Sequence, residues 1–181
     1  MTAMVMTACT GQKAEKAEAT QDNFNYVVDQ FADLQILRYQ VPGFESLSLK
    51  QKQLLYHLSE AALMGRDILF DQNCRYNLPI RRALEAVYIG YKGDRTDPQF
   101  VALETYLKRV WFANGIHHHY AEDKFVPGFT PEFFRTCISQ IGASALPLRE
   151  GQTVEQFVAE ISPVIFDPAV MAKRTGQSGD V

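Results

Sequence analysis

The stretch that organises this chain is residues 113–126, Ala-Asn-Gly-Ile-His-His-His-Tyr-Ala-Glu-Asp-Lys-Phe-Val. It holds three of the four histidines, and it follows a patterned helical segment that carries the single tryptophan, Trp111. Asn114-Gly115 predicts the end of that helix, because glycine tolerates the left-handed backbone that a C-terminal stop commonly needs. Loops held by a rigid element commonly carry binding residues. We therefore take residues 113–126, the histidine loop, as the candidate site.

Helical patterns lie on both sides of the histidine loop. The 3.6-residue spacing of apolar side chains, together with start and stop signals, predicts five helices. They cover residues 48–73, 77–91, 97–113, 130–142 and 153–163, and a further turn is expected at 168–173. The N-caps are expected at Ser48, Asn77, Asp97, Thr130 and Thr153, and Pro163 is expected to close the last helix.

The longest predicted helix, residues 48–73, carries an apolar stripe at helical spacing. The stripe consists of Leu54, Leu58, Ala61, Ala62 and Leu69. Gly65 lies inside this helix, where glycine costs about 1 kcal/mol relative to alanine, so it marks a bend or a close helix crossing. His57 lies off the stripe and is expected at the surface.

One strand is predicted over Leu34–Val41. Leu37, Tyr39 and Val41 alternate with polar residues, whereas Leu34 and Ile36 alternate in the opposite phase. The change of phase at Ile36-Leu37 indicates a bulge or burial on both faces. A lone strand cannot form a sheet, so its partners are expected from elsewhere. The fold class is therefore mainly α, with about five helices and one or a few short strands.

The composition is that of a globular chain of about one domain. The chain has 181 residues, of which 46% are hydrophobic and 22% are charged, and its formal net charge is −3. Nucleic-acid-binding proteins more often carry a basic face, and no such cluster of Lys and Arg stands out. The cysteines, Cys9, Cys74 and Cys137, are widely spaced without a CxxC pair, which argues against a disulfide framework or a zinc knuckle.

The first residues resemble the end of a bacterial lipoprotein signal. Small residues precede Cys9 and a polar segment follows it, so we predict a lipid on Cys9 and a true start further upstream. Residues 1–23 are then a signal remnant and a tether, 24–173 the helical domain, and 174–181 a polar tail. This predicts the bacterial cell envelope or periplasm, with lipid on Cys9 as the membrane contact. The alternative is a chance cysteine and a cytoplasmic protein.

Zinc binding is one interpretation of the three consecutive histidines. In an extended loop, His117 and His119 would point to the same side. Two imidazoles fall short of a catalytic zinc site, which takes three protein ligands, and neither HExxH nor HExxGH occurs in the chain. We therefore predict no metal ligands here. The histidines then either bond to backbone or carboxylate groups of the loop, or contact a ligand directly.

Other catalytic motifs have no support in this sequence. GxGxxG, GxxxxGK[ST] and GxSxG are all missing from the chain, which argues against dinucleotide, phosphate-loop and nucleophile-elbow sites.

Four segments carry a resemblance to a known family. They are Tyr56–Asp67 (Tyr-His-Leu-Ser-Glu-Ala-Ala-Leu-Met-Gly-Arg-Asp), residues 77–82 (Asn-Leu-Pro-Ile-Arg-Arg), residues 107–120 (Leu-Lys-Arg-Val-Trp-Phe-Ala-Asn-Gly-Ile-His-His-His-Tyr) and residues 123–127 (Asp-Lys-Phe-Val-Pro). Through them the chain resembles the bacterial branch of the dipeptidyl peptidase III family, from about Phe31 to Ala172. The segment 107–120 is the specific one.

The resemblance implies the N-terminal part of a two-lobed zinc exopeptidase that removes dipeptides from the N-terminus of oligopeptides. It implies a lobe that mixes helices with a small β-barrel. The family's zinc motifs, HExxGH and an EExRAD-type segment, do not occur here. The zinc and the catalytic glutamate would therefore belong to a C-terminal zinc-bearing lobe, and this chain alone would be inactive. By position, the resemblance implies that Asn114, Gly115, His119 and Tyr120 edge the substrate cleft.

A function of another class stays open on the residues alone. The chain could be a stand-alone helical envelope lipoprotein that binds a peptide or a small ligand. On either interpretation the expected partner is a peptide or small molecule rather than a nucleic acid.

Overall fold

The computed structural model describes residues 24–172 and confirms the mainly helical fold class. Cys9, the tether and the tail 174–181 lie outside the described residues. The described part holds six α-helices and two short strands. They are β1 (Val27–Phe31), β2 (Leu34–Leu37), α1 (Leu49–Met64), α2 (Arg66–Asn73), α3 (Asn77–Gly90), α4 (Pro98–Ala113), α5 (Pro131–Ser139) and α6 (Val154–Phe166). Short 3-10 turns occur at Phe44–Ser46 and Ala143–Ala145.

The predicted strand is shorter than expected, and its partner lies directly before it. β1 and β2 form an antiparallel hairpin around Ala32-Asp33, with Ala32 at a left-handed φ of 49°. We expected the pairing partners of the predicted strand to come from elsewhere, and this was wrong for β2, because its partner β1 directly precedes it. The sequence Val-Val-Asp-Gln-Phe of β1 does not alternate, so periodicity could not reveal it.

The predicted irregularity at Ile36-Leu37 exists, but the extra residue is on the partner strand. Leu37 pairs with Val27 and Ile36 pairs with Asp29, so Val28 has no residue opposite it. A bulge leaves the extra residue unpaired and bends the strand that contains it. The bulge in β1 therefore does not by itself explain the change of apolar phase in β2.

The longest predicted helix is divided at Gly65. Ser48 caps α1 through a capping box with Gln51, as the sequence predicted. α1 then ends at Met64, and α2 begins at Arg66. Glycine is a weak helix former, and here it marks the bend that was one of the two expectations for it.

The apolar stripe of α1 lies at the surface. No residue of α1 is buried, and Leu54 and Leu58 are more than half exposed. Leu69 on α2 is also exposed, whereas His57 lies at the surface as expected. Helical periodicity identifies the helix, but the partner that would cover its face is a matter of tertiary structure.

The core lies among α3, α4, α5 and α6. The stripe expected on α3 is buried at Ile80, Leu84 and Val87, but its fourth member, Tyr91, is only half-buried. All four residues of the stripe expected on α4 are buried, namely Phe100, Leu103, Leu107 and Val110. From α5 and α6 the core takes Phe134, Cys137, Ile138, Phe157, Val158 and Ile161. Tyr106 is buried with them, and its hydroxyl has no hydrogen-bond partner among the described residues. Burial therefore raises the pKa of Tyr106.

The last helix continues through Pro163, which was expected to close it. α6 begins after the capping box of Thr153 and Gln156, as predicted, and ends at Phe166. Val164 and Ile165 are buried, so the apolar contacts after Pro163 outweigh the lost backbone hydrogen bond. Residues 168–171 form a turn, which agrees with the turn predicted in this region. Among the described residues, no helix is long and apolar enough to cross a membrane.

Candidate functional site

The histidine loop leaves α4 through a left-handed asparagine. Asn114 has φ 55° and ψ 36° and is the C-cap of α4. The sequence assigned this conformation to Gly115, but the structure gives it to Asn114, one of the few non-glycine residues that adopt it readily. The backbone N–H of Gly115 donates to the carbonyl of Val110 at 3.0 Å. The helix therefore stops where predicted, through a different residue.

Gly115 is needed for space. A Cβ on Gly115 would lie 2.3 Å from Nδ2 of Asn77, far inside van der Waals contact. Asn77 is completely buried and cannot move away without losing its own hydrogen bonds. The backbone of the loop therefore runs directly against the amide of Asn77.

Asn77 is a buried link between three elements, which corrects its assignment as an N-cap. Tyr76 occupies the N-cap position of α3. The Nδ2 of Asn77 donates to the carbonyl of Phe70 in α2 at 3.0 Å, and its Oδ1 accepts from the N–H of Ile116 at 3.1 Å. Because a buried amide is held by the groups it satisfies, Asn77 fixes the start of the loop against α2 and α3.

The loop folds back on itself instead of running extended. The N–H of His118 donates to the carbonyl of Asp123 at 2.7 Å, and the N–H of Phe125 donates to the carbonyl of Ile116 at 2.9 Å. His117 and Lys124 form an isolated antiparallel bridge. Residues 118–123 are therefore the tip of a short hairpin-like turn.

The base of the loop is anchored to the segment after α6. The Nε2 of His117 lies 2.7 Å from the carbonyl of Met171, and because a carbonyl can only accept, Nε2 is the donor. The Nζ of Lys124 donates to the carbonyls of Asp167 and Val170 at 2.6 and 2.7 Å. Burial lowers the pKa of Lys124, and the nearby Asp167 carboxylate opposes that shift.

The histidines do not share a side in the way an extended loop predicted. His117 is buried against Met171, whereas the rings of His118 and His119 stack with their centroids 4.5 Å apart. The Nδ1 of His118 accepts from the backbone N–H groups of Tyr120 and Ala121 at 3.2 and 3.1 Å. The ring of Tyr120 lies 4.2 Å from that of His119. The loop tip is therefore an aromatic stack in which Nδ1 of His118 is bonded to backbone.

A small cavity opens beside this stack. The loop cavity has a volume of about 210 Å³ and is lined by Leu69, Asn73, Asn77, Ala113, Asn114, Gly115, His117, His118 and His119. Of the four predicted site residues, Asn114, Gly115 and His119 therefore meet at one cavity. Tyr120 lies outside its lining and is 90% exposed. It presents its ring to the solvent beside the entrance.

Three lining residues were not predicted as site residues. Leu69 and Asn73 come from α2, and Asn77 from the start of α3. Asn73 ends α2 and donates from Nδ2 to the carbonyl of Leu69 at 3.1 Å. The asparagines at the two ends of the α2–α3 connection are polar residues close to this cavity, but asparagine also favours helix ends. The sequence could not separate these roles.

The chemistry that lines the loop cavity suits binding. It offers amide and imidazole groups, and no hydroxyl, thiol or carboxylate side chain is among its lining residues. A nucleophile with an adjacent base is therefore missing from this lining. The arrangement can hold and orient a polar molecule.

Two imidazole nitrogens of the loop already take part in hydrogen bonds. Within residues 24–172, no group of three or more His, Cys, Asp or Glu side chains is placed to hold a metal. The Nε2 of His117 and the Nδ1 of His118 are both engaged with backbone groups. Those nitrogens would have to give up their hydrogen bonds before they could bind a metal.

The tip of the β-hairpin formed by β1 and β2 contacts the histidine loop through Arg109 of α4. The guanidinium of Arg109 pairs with the carboxylate of Asp33 and lies 5.5 Å from the ring centroid of Phe125. The pKa of Asp33 is lowered first by a hydrogen bond from the backbone N–H of Asp33 to its own carboxylate. The positive charge of Arg109 lowers it further. The hairpin therefore meets the histidine loop through Arg109.

The function proposed for this chain rests on the geometry of the histidine loop described above. No family model matches this chain, and no curated protein matches it.

Proposed function

We propose that this chain is the N-terminal lobe segment of a zinc-dependent dipeptidyl peptidase and that the histidine loop forms part of its substrate-cleft wall. The resemblance of residues 107–120 to that family supports the proposal. The observation that carries it is the anchoring of the loop by buried Asn77, since the anchor holds Asn114, His119 and Tyr120 beside an open cavity.

An extended peptide matches the groups that the loop presents. Peptides offer backbone N–H and C=O groups as well as side chains for recognition. The side-chain amide of Asn114 has no hydrogen-bond partner within residues 24–172, and it can donate and accept. His119 and Tyr120 add polar rings at the edge of the cavity. In this proposal Tyr120 packs on the peptide and His119 hydrogen-bonds to it.

The proposed role is binding and positioning, without a bond-making step. Zinc and the residues that hold it would lie in a zinc-bearing lobe elsewhere in the polypeptide. The exposed apolar side chains of α1 support a place in a larger structure, because monomeric proteins rarely expose large contiguous apolar patches. On this proposal the 181-residue chain has no peptidase activity by itself.

The test is steady-state kinetics of the zinc-loaded full-length enzyme with Tyr120→Ala. We expect KM to rise more than kcat falls, because the variant loses binding that is equal in the ground and transition states. The lost contact corresponds to about 1–3 kcal/mol for an aromatic side chain. A dipeptidyl arylamide and a longer peptide serve as substrates, and bound zinc is measured in each preparation.

Tyr39→Ala is the matched control, because Tyr39 is 73% exposed and lies outside the loop. It should leave KM and zinc content unchanged. Unchanged kinetics of Tyr120→Ala on both substrates would contradict the proposal. Loss of zinc from Tyr120→Ala would also contradict it, since that result would indicate that Tyr120 belongs to the metal site.

We further propose that the protein is carried to the cell envelope by a lipid on Cys9. The small residues before Cys9 and the polar segment after it support this. The gene with its upstream sequence should give a membrane-associated, fatty-acid-labelled product, and Cys9→Ser should release it to the soluble fraction. An unlabelled soluble wild-type product would contradict the assignment.

A further inference from the structure

A second cavity shares Asn114 with the loop cavity and has no part in the proposed function. It has a volume of about 660 Å³ and lies where the α1–α2 junction, α3 and the end of α4 meet. Leu63, Arg66, Arg81 and Trp111 are among its lining residues. We call it the Trp111 cavity.

A buried guanidinium forms one wall of the Trp111 cavity. Arg81 is 9% exposed and lies over the ring of Phe70 at 4.5 Å. Its Nη2 is 2.8 Å from Oδ1 of Asp67, and its Nε is 3.3 Å from Oε1 of Glu85. The Nε–H is buried and makes no aligned hydrogen bond with a described residue. This wall therefore contains a buried N–H donor that its own partners do not satisfy.

The two carboxylates at this cavity are already engaged. The oxygens of Asp67 take one guanidinium each, from Arg81 and from Arg82 at 2.8 Å. These hydrogen bonds, first that of Arg82 and then that of Arg81, lower the pKa of Asp67. The Oε1 of Glu85 accepts from Nε1 of Trp111 at 2.8 Å. Both acids therefore act as internal counter-ions.

Arg66 is the cation left over. It lines the cavity and forms no hydrogen bond or ion pair within residues 24–172. Arg81, Arg82 and Trp111 are the partners of Asp67 and Glu85, so Arg66 is the lining guanidinium without a counter-ion in the described residues. Its planar donors match a carboxylate.

An apolar surface lies next to that cation. Leu63 is 49% exposed and the Trp111 ring 40% exposed, and both line the cavity. Water contact with such groups is unfavourable, so an apolar body seated between them would be stabilised. A ligand that satisfies the whole cavity has an anionic end and an apolar end.

We propose that the Trp111 cavity binds a carboxylate attached to an apolar group, as at the C-terminal residue of an apolar peptide. Arg66 pairs with the carboxylate, and Leu63 and Trp111 contact the apolar side chain. Asn114 borders both cavities, so such a ligand lies next to the loop cavity. The proposal does not depend on peptidase chemistry.

Trp111 is the single tryptophan of the chain, so its fluorescence reports binding directly. The probes are acetyl-leucyl-phenylalanine with a free C-terminal carboxylate and the same compound as its C-terminal amide, titrated at constant ionic strength. We expect the acid to change the Trp111 emission and saturate, and the amide to bind about tenfold more weakly or not at all. Acetyl-glutamyl-phenylalanine amide tests a side-chain carboxylate instead.

Arg66→Gln should weaken binding of the acid about tenfold and leave the fold intact, because Arg66 is exposed and unpaired in the described part of the chain. Arg135→Gln is the matched control, an exposed arginine on α5 without an ion pair in residues 24–172, and it should bind the acid as the wild type does. Leu63→Ala should weaken binding of the acid, because Leu63 contacts the apolar side chain of the ligand. Equal binding of acid and amide, equal binding by the two arginine variants, or no change in wild-type emission would each overturn the proposal.

Discussion

The side-chain oxygen of Asn77 accepts a hydrogen bond from the backbone N–H of Ile116 at 3.1 Å, across 39 positions of the chain. The same amide donates to the carbonyl of Phe70. One completely buried side chain thus joins α2, α3 and the loop that follows α4. The position of every group around the loop cavity depends on this joint.

Asn77→Ala is expected to destabilise the protein by about 2–4 kcal/mol, because it leaves the Phe70 carbonyl and the Ile116 N–H buried without partners. Urea unfolding followed by circular dichroism measures the loss. Asn73→Ala is the matched control, since Asn73 is exposed and bonds only to the carbonyl of Leu69 among described residues. It should cost less than about 0.5 kcal/mol. Equal stabilities of the two variants would show that Asn77 is not the joint.

Gly115→Ala is expected to cost about 1–3 kcal/mol, the range for forcing a methyl group into a packed site. The new Cβ would meet Nδ2 of Asn77 at 2.3 Å. Gly142→Ala is the control, because a Cβ there meets nothing closer than 3.8 Å. Combining Gly115→Ala with Asn77→Ala should cost less than the sum of the two, since the second change removes the clash. Strict additivity would argue against this contact.

The ion pairs of Asp67 predict a pH dependence of stability. Its pKa in the folded protein lies below the usual 3.8, because Arg82 and Arg81 bond to the carboxylate. The pairs therefore stabilise the fold above the unfolded pKa, and that stability is lost as pH falls through the folded pKa. Asp67→Asn should lower the free energy of unfolding near neutral pH, and the difference from the wild type should shrink in acid.

The pH prediction is checked by urea unfolding of both proteins at neutral and at acid pH. Asp71→Asn serves as the control, because Asp71 is an exposed carboxylate on the same helix without an ion pair in the described residues. The prediction would be contradicted if the free energies of unfolding of the wild type and Asp67→Asn differed by the same amount at both pH values.

The exposed apolar face of α1 predicts that the 181-residue chain binds a hydrophobic dye. Leu54→Gln combined with Leu58→Gln should lower dye fluorescence and change stability by less than about 0.5 kcal/mol, because both side chains are exposed. Ile89→Gln on α3 changes one exposed apolar residue elsewhere and should have a smaller effect. A monomer that melts cooperatively and binds no dye would show that α1 is covered.

Much of the local structure could be predicted because it depends on neighbours in sequence. The capping side chains of Ser48, Asp97, Thr130 and Thr153 each accept a hydrogen bond from a backbone N–H two or three residues further along the chain. A capping hydrogen bond spans two or three residues, so the sequence contains both of its partners.

The candidate site was predicted less completely. Asn114, Gly115 and His119 do line one cavity, and Tyr120 lies at its edge. The contributions of Leu69, Asn73 and Asn77 could not be predicted, because they reach the loop through the packing of α2 and α3. For the same reason an extended loop was expected where a folded-back one occurs.

The sequence by itself determined the caps at which α1, α4, α5 and α6 begin, which faces of α3 and α4 are apolar, and which loop carries the imidazoles. Tertiary structure alone decided that Asn77 bonds to the loop rather than capping a helix, that α6 continues through Pro163, and that the face of α1 stays exposed. The physical reason is range: caps and periodicity depend on residues within one or two helical turns, whereas burial and a bond across 39 positions depend on which surfaces meet.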